Sequence, residues 1–180
     1  MDVLTVVFTA TYFYLPAAFA NLGANLGKNV PLKAPVDFGL KLRGIQLVGN
    51  HKSWGGFLTG ILTGVAVAFI QMFIAIVTDF RYELIEYNFS NTLILGLTMS
   101  FGALLGDLVE SFIKRQISMK PHARLFPFDQ IDHIIGSLGL TSLFFRVPWQ
   151  IWLACLIVYF VVHEVSTKIG FALKLKNVPY

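Results

Sequence analysis

The sequence predicts an all-α, polytopic membrane protein with five transmembrane helices. Of its 180 residues, 56% are hydrophobic and only 13% are charged, whereas an ordinary soluble domain carries about 25% charged residues. The mean hydropathy is +0.68, and apolar runs recur at about the length, roughly 20 residues, that a helix needs to cross a bilayer. In so apolar a chain, the net charge of +4 indicates orientation in the membrane and binding of anionic phosphates rather than nucleic-acid binding.

The first span is predicted at about residues 3–20. An Ala-Phe-Ala sequence at its end has the small residues of a signal-peptide cleavage site, but Asp2 stands where such a peptide has basic residues. Pro16 also interrupts the apolar run. We therefore expect a retained helix that is kinked at Pro16, because proline removes a hydrogen bond inside a helix.

The first loop, residues 21–56, is long enough to be either a solvated connection or an ordered, functional element. The turn sequence Pro-Val-Asp at 35–37 and the apolar residues interleaved after it favour order. The run Gly-Asn-His-Lys-Ser at 49–53 lacks the glycine spacing of a P-loop. A Gly-rich segment with Lys52 and Ser53 can still contact a phosphate through backbone N–H groups and charge.

Four further spans are predicted, at about residues 57–77, 91–113, 131–147 and 149–166. Glycines recur at four-residue spacing near the second and third spans: Gly56, Gly60 and Gly64, then Gly102 and Gly106. Small residues at this spacing let helices approach closely in lipid. They therefore predict helix packing rather than chemistry.

Lysine and arginine are distributed unevenly between the predicted loops. The first loop, the third loop (114–130) and the C-terminal tail hold 12 of the 14 Lys and Arg residues, and the opposite side holds only Arg81 and Arg146. Since cytoplasmic loops are enriched in these residues, the N-terminus is predicted outside and the C-terminus in the cytoplasm. We expect one integral-membrane catalytic domain, residues 1–180, in the cell membrane, with large first and third cytoplasmic loops.

The most charged stretch, residues 106–132, begins within the last part of the third predicted span. Helical geometry places its polar residues on two faces: one carries Asp107, Glu110, Ser111 and Lys114, and the other carries Asp129 and Asp132. Ionisable groups at the edge of a span indicate a functional site. Three interpretations are open: ion pairs with nearby Lys and Arg, the ion path of a transporter, or a Mg²⁺ site that acts on phosphates. His163 and Glu164 either form a packed polar pair or reach this site.

The same stretch resembles a known family signature. It reads GDLVESFIKR at 106–115, then Lys120, then DQID at 129–132. The CTP-dependent phosphatidate cytidylyltransferases have GD-L-x-E-S-x-x-K-R, then K-D, GHGG and D-R-x-D; this chain has Pro121 after the lysine and lacks GHGG. These departures, the small size and the N-terminal sequences LPA, PVD and GNHKSWG resemble the archaeal branch of that family, the CDP-archaeol synthases.

The resemblance implies an enzyme of archaeal ether-lipid biosynthesis. Such an enzyme transfers CMP from CTP to 2,3-di-O-geranylgeranyl-sn-glycerol 1-phosphate, giving CDP-archaeol and pyrophosphate, by direct attack of the lipid phosphate on the α-phosphorus. Mg²⁺ would be held by Asp107 and Asp129, with Asp132 as a third ligand or a neighbouring acid. The expected catalytic residues are Asp107, Asp129, Lys114 and Lys120.

We expect the basic residues to neutralise the triphosphate, with the first loop closing the site and Asn21 contacting the nucleotide or the lipid head. The expected nucleotide- and phosphate-binding residues are Asn21, Lys52, Ser53, Glu110, Ser111, Lys114, Arg115 and Lys120. The expected partners are CTP, the lipid phosphate and membrane lipids, and no feature indicates nucleic acid or an obligate protein partner. The alternative functions are an ion or small-solute transporter and a related polyprenol or lipid kinase.

Overall fold

The structure is a computed structural model that describes residues 2–78, 84–119 and 124–172. Within these ranges the chain forms five α-helices, one short 3₁₀ helix (Gly27–Asn29) and one antiparallel hairpin of strands β1 (Lys41–Leu42) and β2 (Ile45–Gln46). The helices are α1 (Val3–Leu26), α2 (Trp54–Thr78), α3 (Phe89–Gln116), α4 (Phe128–Thr141) and α5 (Trp149–Ala172). The predicted all-helical class is confirmed, with the hairpin as a small addition.

Among the described residues, four helices are long and apolar enough to cross a membrane: Val3–Leu26, Trp54–Thr78, Phe89–Gln116 and Trp149–Ile169. The remaining helix, α4, has 14 residues, which at about 1.5 Å each span roughly 21 Å, against a hydrocarbon core of about 30 Å. It covers only part of the fourth predicted span, because the backbone forms turns at residues 142–144. The count of five transmembrane helices therefore stays a prediction.

The first helix is longer than predicted. Asp2, whose acidity argued against a signal peptide, accepts a hydrogen bond from the Thr5 backbone N–H at 2.7 Å and so satisfies an otherwise unpaired donor of the first turn. The helix continues through Pro16 and ends at Leu26. Asn21 therefore lies on α1 rather than in a loop.

The glycines at four-residue spacing lie at helix contacts. A Cβ atom on Gly56 or Gly60 would lie 2.8 Å from a carbonyl oxygen of α1, and one on Gly102 would lie 2.5 Å from the Gly136 carbonyl oxygen of α4. No side chain fits at such distances, so these positions let the backbones meet. The predicted packing role is confirmed: α2 lies against α1, and α4 lies against α3.

The bundle closes where α5 meets α1. The Tyr159 hydroxyl donates to the Thr11 carbonyl oxygen at 3.0 Å, and the buried Cys155 thiol donates to the Ala10 carbonyl oxygen at 3.5 Å. Both contacts lie in the first half of each helix. In the second half, residues of both helices line a cavity.

The first loop is ordered around the buried carboxylate of Asp37. Its oxygens accept hydrogen bonds from the backbone N–H groups of Gly39 (2.9 Å), Val48 (2.8 Å) and Gly49 (3.3 Å). Burial acts to raise the pKa of Asp37, but these hydrogen bonds outweigh it and hold the pKa below its usual value. The loop is therefore a folded element, as its Pro-Val-Asp turn sequence indicated.

Candidate active site

Three carboxylates from two helices form a cluster. Asp107, Glu110 and Asp132 each offer an oxygen atom, and these atoms all lie within 4.8 Å of one another. Asp107 and Glu110 are three residues apart and so share one face of α3. Asp132 comes from α4, and Gly106 permits its approach, since any side chain there would collide with the Asp132 backbone. The site thus exists only where α3 and α4 pack together.

Lys114 lies beside this cluster and joins it to a fourth acid. Its ammonium group forms ion pairs with Glu110, one turn earlier on α3, and with Asp129 of α4 at 3.0 Å. Both Asp129 oxygens also accept from the Leu125 backbone N–H at 3.1 Å, which holds the carboxylate at the start of α4. Asp129 therefore faces Lys114, while Glu110, which the sequence assigned to phosphate binding, lies in the three-carboxylate cluster.

The first loop supplies Lys52 and Ser53 to the same site. Lys52 forms an ion pair with Asp107, and its carbonyl oxygen accepts from the Val36 backbone N–H at 2.8 Å. The Ser53 hydroxyl accepts from the Gly56 backbone N–H at 3.2 Å and so caps the first turn of α2. These backbone bonds fix the loop where its lysine reaches α3.

A cavity of about 430 Å³ lies between the five helices and the first loop, within the size range of small-molecule sites. Its polar lining includes most of the predicted site residues: Asn21, Lys52, Ser53, Asp107, Asp129 and Asp132. Apolar residues line the rest, among them Ala18, Leu22, Phe57, Leu104 and Val162. The cavity therefore offers a charged end and an apolar wall.

The remaining predicted residues that the structure describes lie on α3 and are not part of the cavity lining. Ser111 is buried on α3. Arg115 packs against Gly49, which has a φ of +106°. A Cβ atom added to Gly49 would lie 3.3 Å from the arginine Nε. Lys120 falls in the segment that the structure does not describe.

His163 and Glu164 have separate positions. His163 lines the cavity, with its ring centre 6.4 Å from that of His133. Glu164 forms an ion pair with Arg124 and accepts from the Gln130 side-chain amide at 3.0 Å. Only the histidine of this pair reaches the site, and the glutamate ties the start of α4 to α5.

His133 is a cavity residue that sequence reasoning did not single out. Its Nδ1 atom lies 3.0 Å from a carboxylate oxygen of Asp132. The Tyr14 ring packs edge-on against the His133 ring, with the two ring centres 6.1 Å apart. The one available signal was its position directly after Asp132. Adjacent residues of a helix point about 100° apart, so that position alone does not place both at one cavity.

The donor set of the cluster fits a hard divalent cation. All three donors are carboxylate oxygens, the ligand type that Mg²⁺ and Ca²⁺ prefer. Lys52 and Lys114 flank the cluster through their ion pairs with Asp107 and Glu110, which limits the repulsion between the acids. This acidic cluster can therefore hold a metal ion.

Comparison with known proteins places the chain in a family. Residues 3–180 match the family model described as "CarS-like: CDP-archaeol synthase". CDP-archaeol synthase of Pyrococcus abyssi is 34% identical over 178 residues, covering 97% of this chain and 98% of that protein. The one from Pyrobaculum islandicum is 31% identical over 173 residues, covering 94% and 98%.

One solved structure has the same fold. It is described as an intramembrane enzyme for archaeal membrane lipids biosynthesis, and it matches with a TM-score of 0.71 at 23% identity, covering 87% of this chain and 91% of its own. The sequence resemblance inferred from the charged stretch is thereby confirmed. The chain belongs to the CDP-archaeol synthase family and is an enzyme, a CTP-dependent cytidylyltransferase.

Proposed function

We propose that the chain transfers CMP from CTP to 2,3-di-O-geranylgeranyl-sn-glycerol 1-phosphate, giving CDP-archaeol and pyrophosphate. The observation that carries this proposal is the cavity itself, in which three aspartates and Lys52 share one lining with apolar side chains inside a helical bundle. A nucleoside triphosphate needs the charged groups to bind its phosphates. An isoprenoid lipid phosphate needs the charged groups for its phosphate and the apolar side chains for its hydrocarbon chains. The relatives' name supplies the identity of the two substrates.

Asp107, Glu110 and Asp132 are the residues that would hold Mg²⁺, and Asp129 is the further ligand that the family signature implies. When bound there, Mg²⁺ supplies positive charge to the phosphate oxygens of CTP. Lys52 and Lys114 stand on either side of these acids. They contribute fixed positive charge where the triphosphate would lie.

The chemistry needs no nucleophile from the protein. A phosphate monoester has a second pKa of about 6, so the lipid phosphate is already anionic near neutral pH. One of its oxygens attacks the α-phosphorus of CTP, forming a new P–O–P bond, while the bond from that phosphorus to the β-phosphate oxygen breaks and pyrophosphate leaves. The protein's part is to orient the two phosphates and to balance their charge.

The lipid would reach the site between α1 and α5. Leu22 and Val162 both line the cavity, and their side chains are 52% and 50% exposed. Deeper in the bundle, Tyr159 holds the two helices together at Thr11. We propose that the isoprenoid chains pass between Leu22 and Val162 into the surrounding lipid.

The predicted topology belongs to the same proposal. α4 would be the short fourth of five spans, packed between α3 and α5, with the N-terminus outside. The basic first and third loops would then place the charged end of the cavity at the cytoplasmic face, where CTP is available. The loops' excess of Lys and Arg supports this orientation.

The test uses the purified protein in lipid nanodiscs, with the lipid phosphate and CTP labelled on its α-phosphate. We expect label to enter a CDP-lipid, with pyrophosphate released, only when a divalent metal is present. Asp107→Asn and Glu110→Gln should each lower the rate by about 100-fold or more, while Glu86→Gln, at an exposed site before α3, should not change it. Release of CDP would instead indicate a kinase, and wild-type rates in both variants would contradict the assigned cluster.

A further inference from the structure

The first loop carries an exposed surface of alternating apolar and basic side chains. We define this hairpin surface as Lys33, Phe38, Leu40, Lys41, Leu42 and Arg43. We propose that it docks on the anionic lipid headgroups of the membrane in which the chain is embedded. Neither the family assignment nor the proposed reaction requires such a contact.

The apolar side chains of this surface face away from the protein. Phe38 is 69% exposed, Leu40 61% and Leu42 46%. On the second strand of the same hairpin, Ile45 is half-buried, and β2 packs against α3. Strand β2 therefore packs against the helical bundle, while the described residues leave the side of the hairpin with Leu40 and Leu42 uncovered.

The base of the hairpin lies at the level where a predicted span begins. The Phe38 ring centre is 5.8 Å from that of Trp54, the first residue of α2. The carbonyl oxygens of Leu32 and Ala34 accept from the backbone N–H groups of Gly55 and Trp54, each at 2.9 Å. Aromatic rings at the end of a span mark the membrane–water interface, so the hairpin surface starts at that depth.

The exposed charge of the hairpin surface is entirely positive. Lys33, Lys41 and Arg43 are exposed. The acid between residues 27 and 53 is Asp37, and its buried carboxylate is occupied by backbone N–H groups. Basic residues interleaved with large apolar ones are the composition of segments that bind at the surface of anionic bilayers.

The backbone holds this surface in an unfavourable conformation. Phe38 has φ +51°, a left-handed value that is uncommon for a bulky residue. Its N–H donates to the Pro35 carbonyl oxygen at 3.0 Å, and the Asp37 carboxylate fixes the next N–H, that of Gly39. Such strain persists where surrounding bonds impose it, and often at functional positions. Here it directs an aromatic ring outward, where a lipid surface would cover it.

The experiment places a fluorescent label on the hairpin of the full-length protein. Phe38→Cys or Leu40→Cys is labelled with an environment-sensitive dye, while Cys155 is left in place because it is buried. The protein is reconstituted in bilayers with and without anionic lipid. We expect a blue-shifted emission in the anionic bilayers, and quenching by lipids brominated near the headgroup rather than by iodide in the water.

Matched variants separate the possible results. Asn50→Cys, exposed in the same loop but outside the hairpin surface, should remain accessible to iodide. Lys41→Glu combined with Arg43→Glu should reduce the response to anionic lipid several-fold. Accessibility of position 38 to iodide in both bilayers would overturn the proposal. An emission that depends on protein density would instead show a second copy on this surface, which also overturns it.

Discussion

At the scale of single residues, the charge balance of the site depends on Lys114. Its ammonium lies between the carboxylates of Glu110 and Asp129, and all three side chains are mostly buried. Removing one partner of a buried ion pair leaves the other charge uncompensated, which typically costs about 3 kcal/mol or more. We therefore expect Lys114→Met to lower the free energy of unfolding by about this amount, as measured by thermal unfolding in detergent.

Two control variants accompany that measurement. Lys114→Arg keeps the positive charge and should retain most of the stability, although its planar group will not reproduce the pairing geometry of an ammonium. Lys168→Met removes an exposed lysine of α5 and should leave the unfolding temperature unchanged. Unaltered unfolding of Lys114→Met would show that the acids are already neutral or separated.

Sequence reasoning predicted the members of this site better than their pairing. Asp107, Glu110 and Lys114 share a helix, so their common face follows from helical geometry alone. Whether Asp129 or Asp132 meets the α3 acids depends on how α4 is rotated against α3. Backbone contacts at Gly102 and Gly106 accompany the observed rotation. The spacing of these glycines predicts a helix contact, but it does not say which face of α4 makes it.

At the scale of helices and loops, Gly106 decides how closely α4 approaches α3. A Cβ there would collide with the backbone of Asp132, whereas a Cβ on Gly139 of α4 would meet only a Trp152 ring atom at 4.0 Å. We expect Gly106→Ala to destabilise the protein by about 1–3 kcal/mol, as overpacking does, and to lower its activity. Gly139→Ala is the matched control and should be neutral or slightly stabilising, since alanine favours helix. Equal effects of the two changes would argue against this helix contact.

Asp37 gives the first loop a dependence on pH. Its pKa in the folded protein lies below its usual value, so the ionised carboxylate stabilises the loop above the ordinary aspartate pKa of about 3.9. That stabilisation is lost as the pH falls through the lower pKa of the folded state. We expect amide hydrogen exchange of residues 44–50, corrected for the intrinsic rate, to rise on acidification below about pH 4.

The variant Asp37→Ala should show that faster exchange already at neutral pH. It should also weaken CTP use, because the same loop carries Lys52 to Asp107. If amide hydrogen exchange at neutral pH is equally slow in Asp37→Ala and in the wild-type protein, contacts other than those of Asp37 keep the loop ordered.

Helices and loops differ in how far their sequence predicts them. The second and third spans were expected at 57–77 and 91–113 and are found at Trp54–Thr78 and Phe89–Gln116, because long apolar runs have few alternatives. The hairpin was missed because its strands have two residues each, and the Asp37 carboxylate binds backbone N–H groups on both sides of it. Strands of two residues are too short to show an alternating pattern of apolar and polar residues in the sequence.

At the scale of the whole molecule, the lipid path that we propose between α1 and α5 predicts a selective effect on lipid use. Leu22→Trp or Val162→Trp would narrow this path and would leave every charged side chain of the cavity in place. We expect the KM for the lipid phosphate to rise roughly tenfold, equivalent to about 1.4 kcal/mol, while the KM for CTP is unchanged. Steady-state rates in mixed micelles measure both constants.

Leu62→Trp is the matched control for this prediction. Leu62 is 70% exposed on α2 and is not part of the cavity lining, so a larger side chain there should leave both KM values as they are. A rise in the KM for CTP, or an equal effect of Leu62→Trp, would show that the lipid does not pass between α1 and α5.

The contact between α1 and α5 also sets the order in which the protein becomes complete. Tyr159 and Thr11 are 148 residues apart in the chain, so α1 must wait in the membrane until α5 has been synthesised. Until α5 is inserted, the cavity lacks the wall that carries His163 and Val162. A nascent chain that still lacks α5 therefore carries its acidic cluster without an enclosed site.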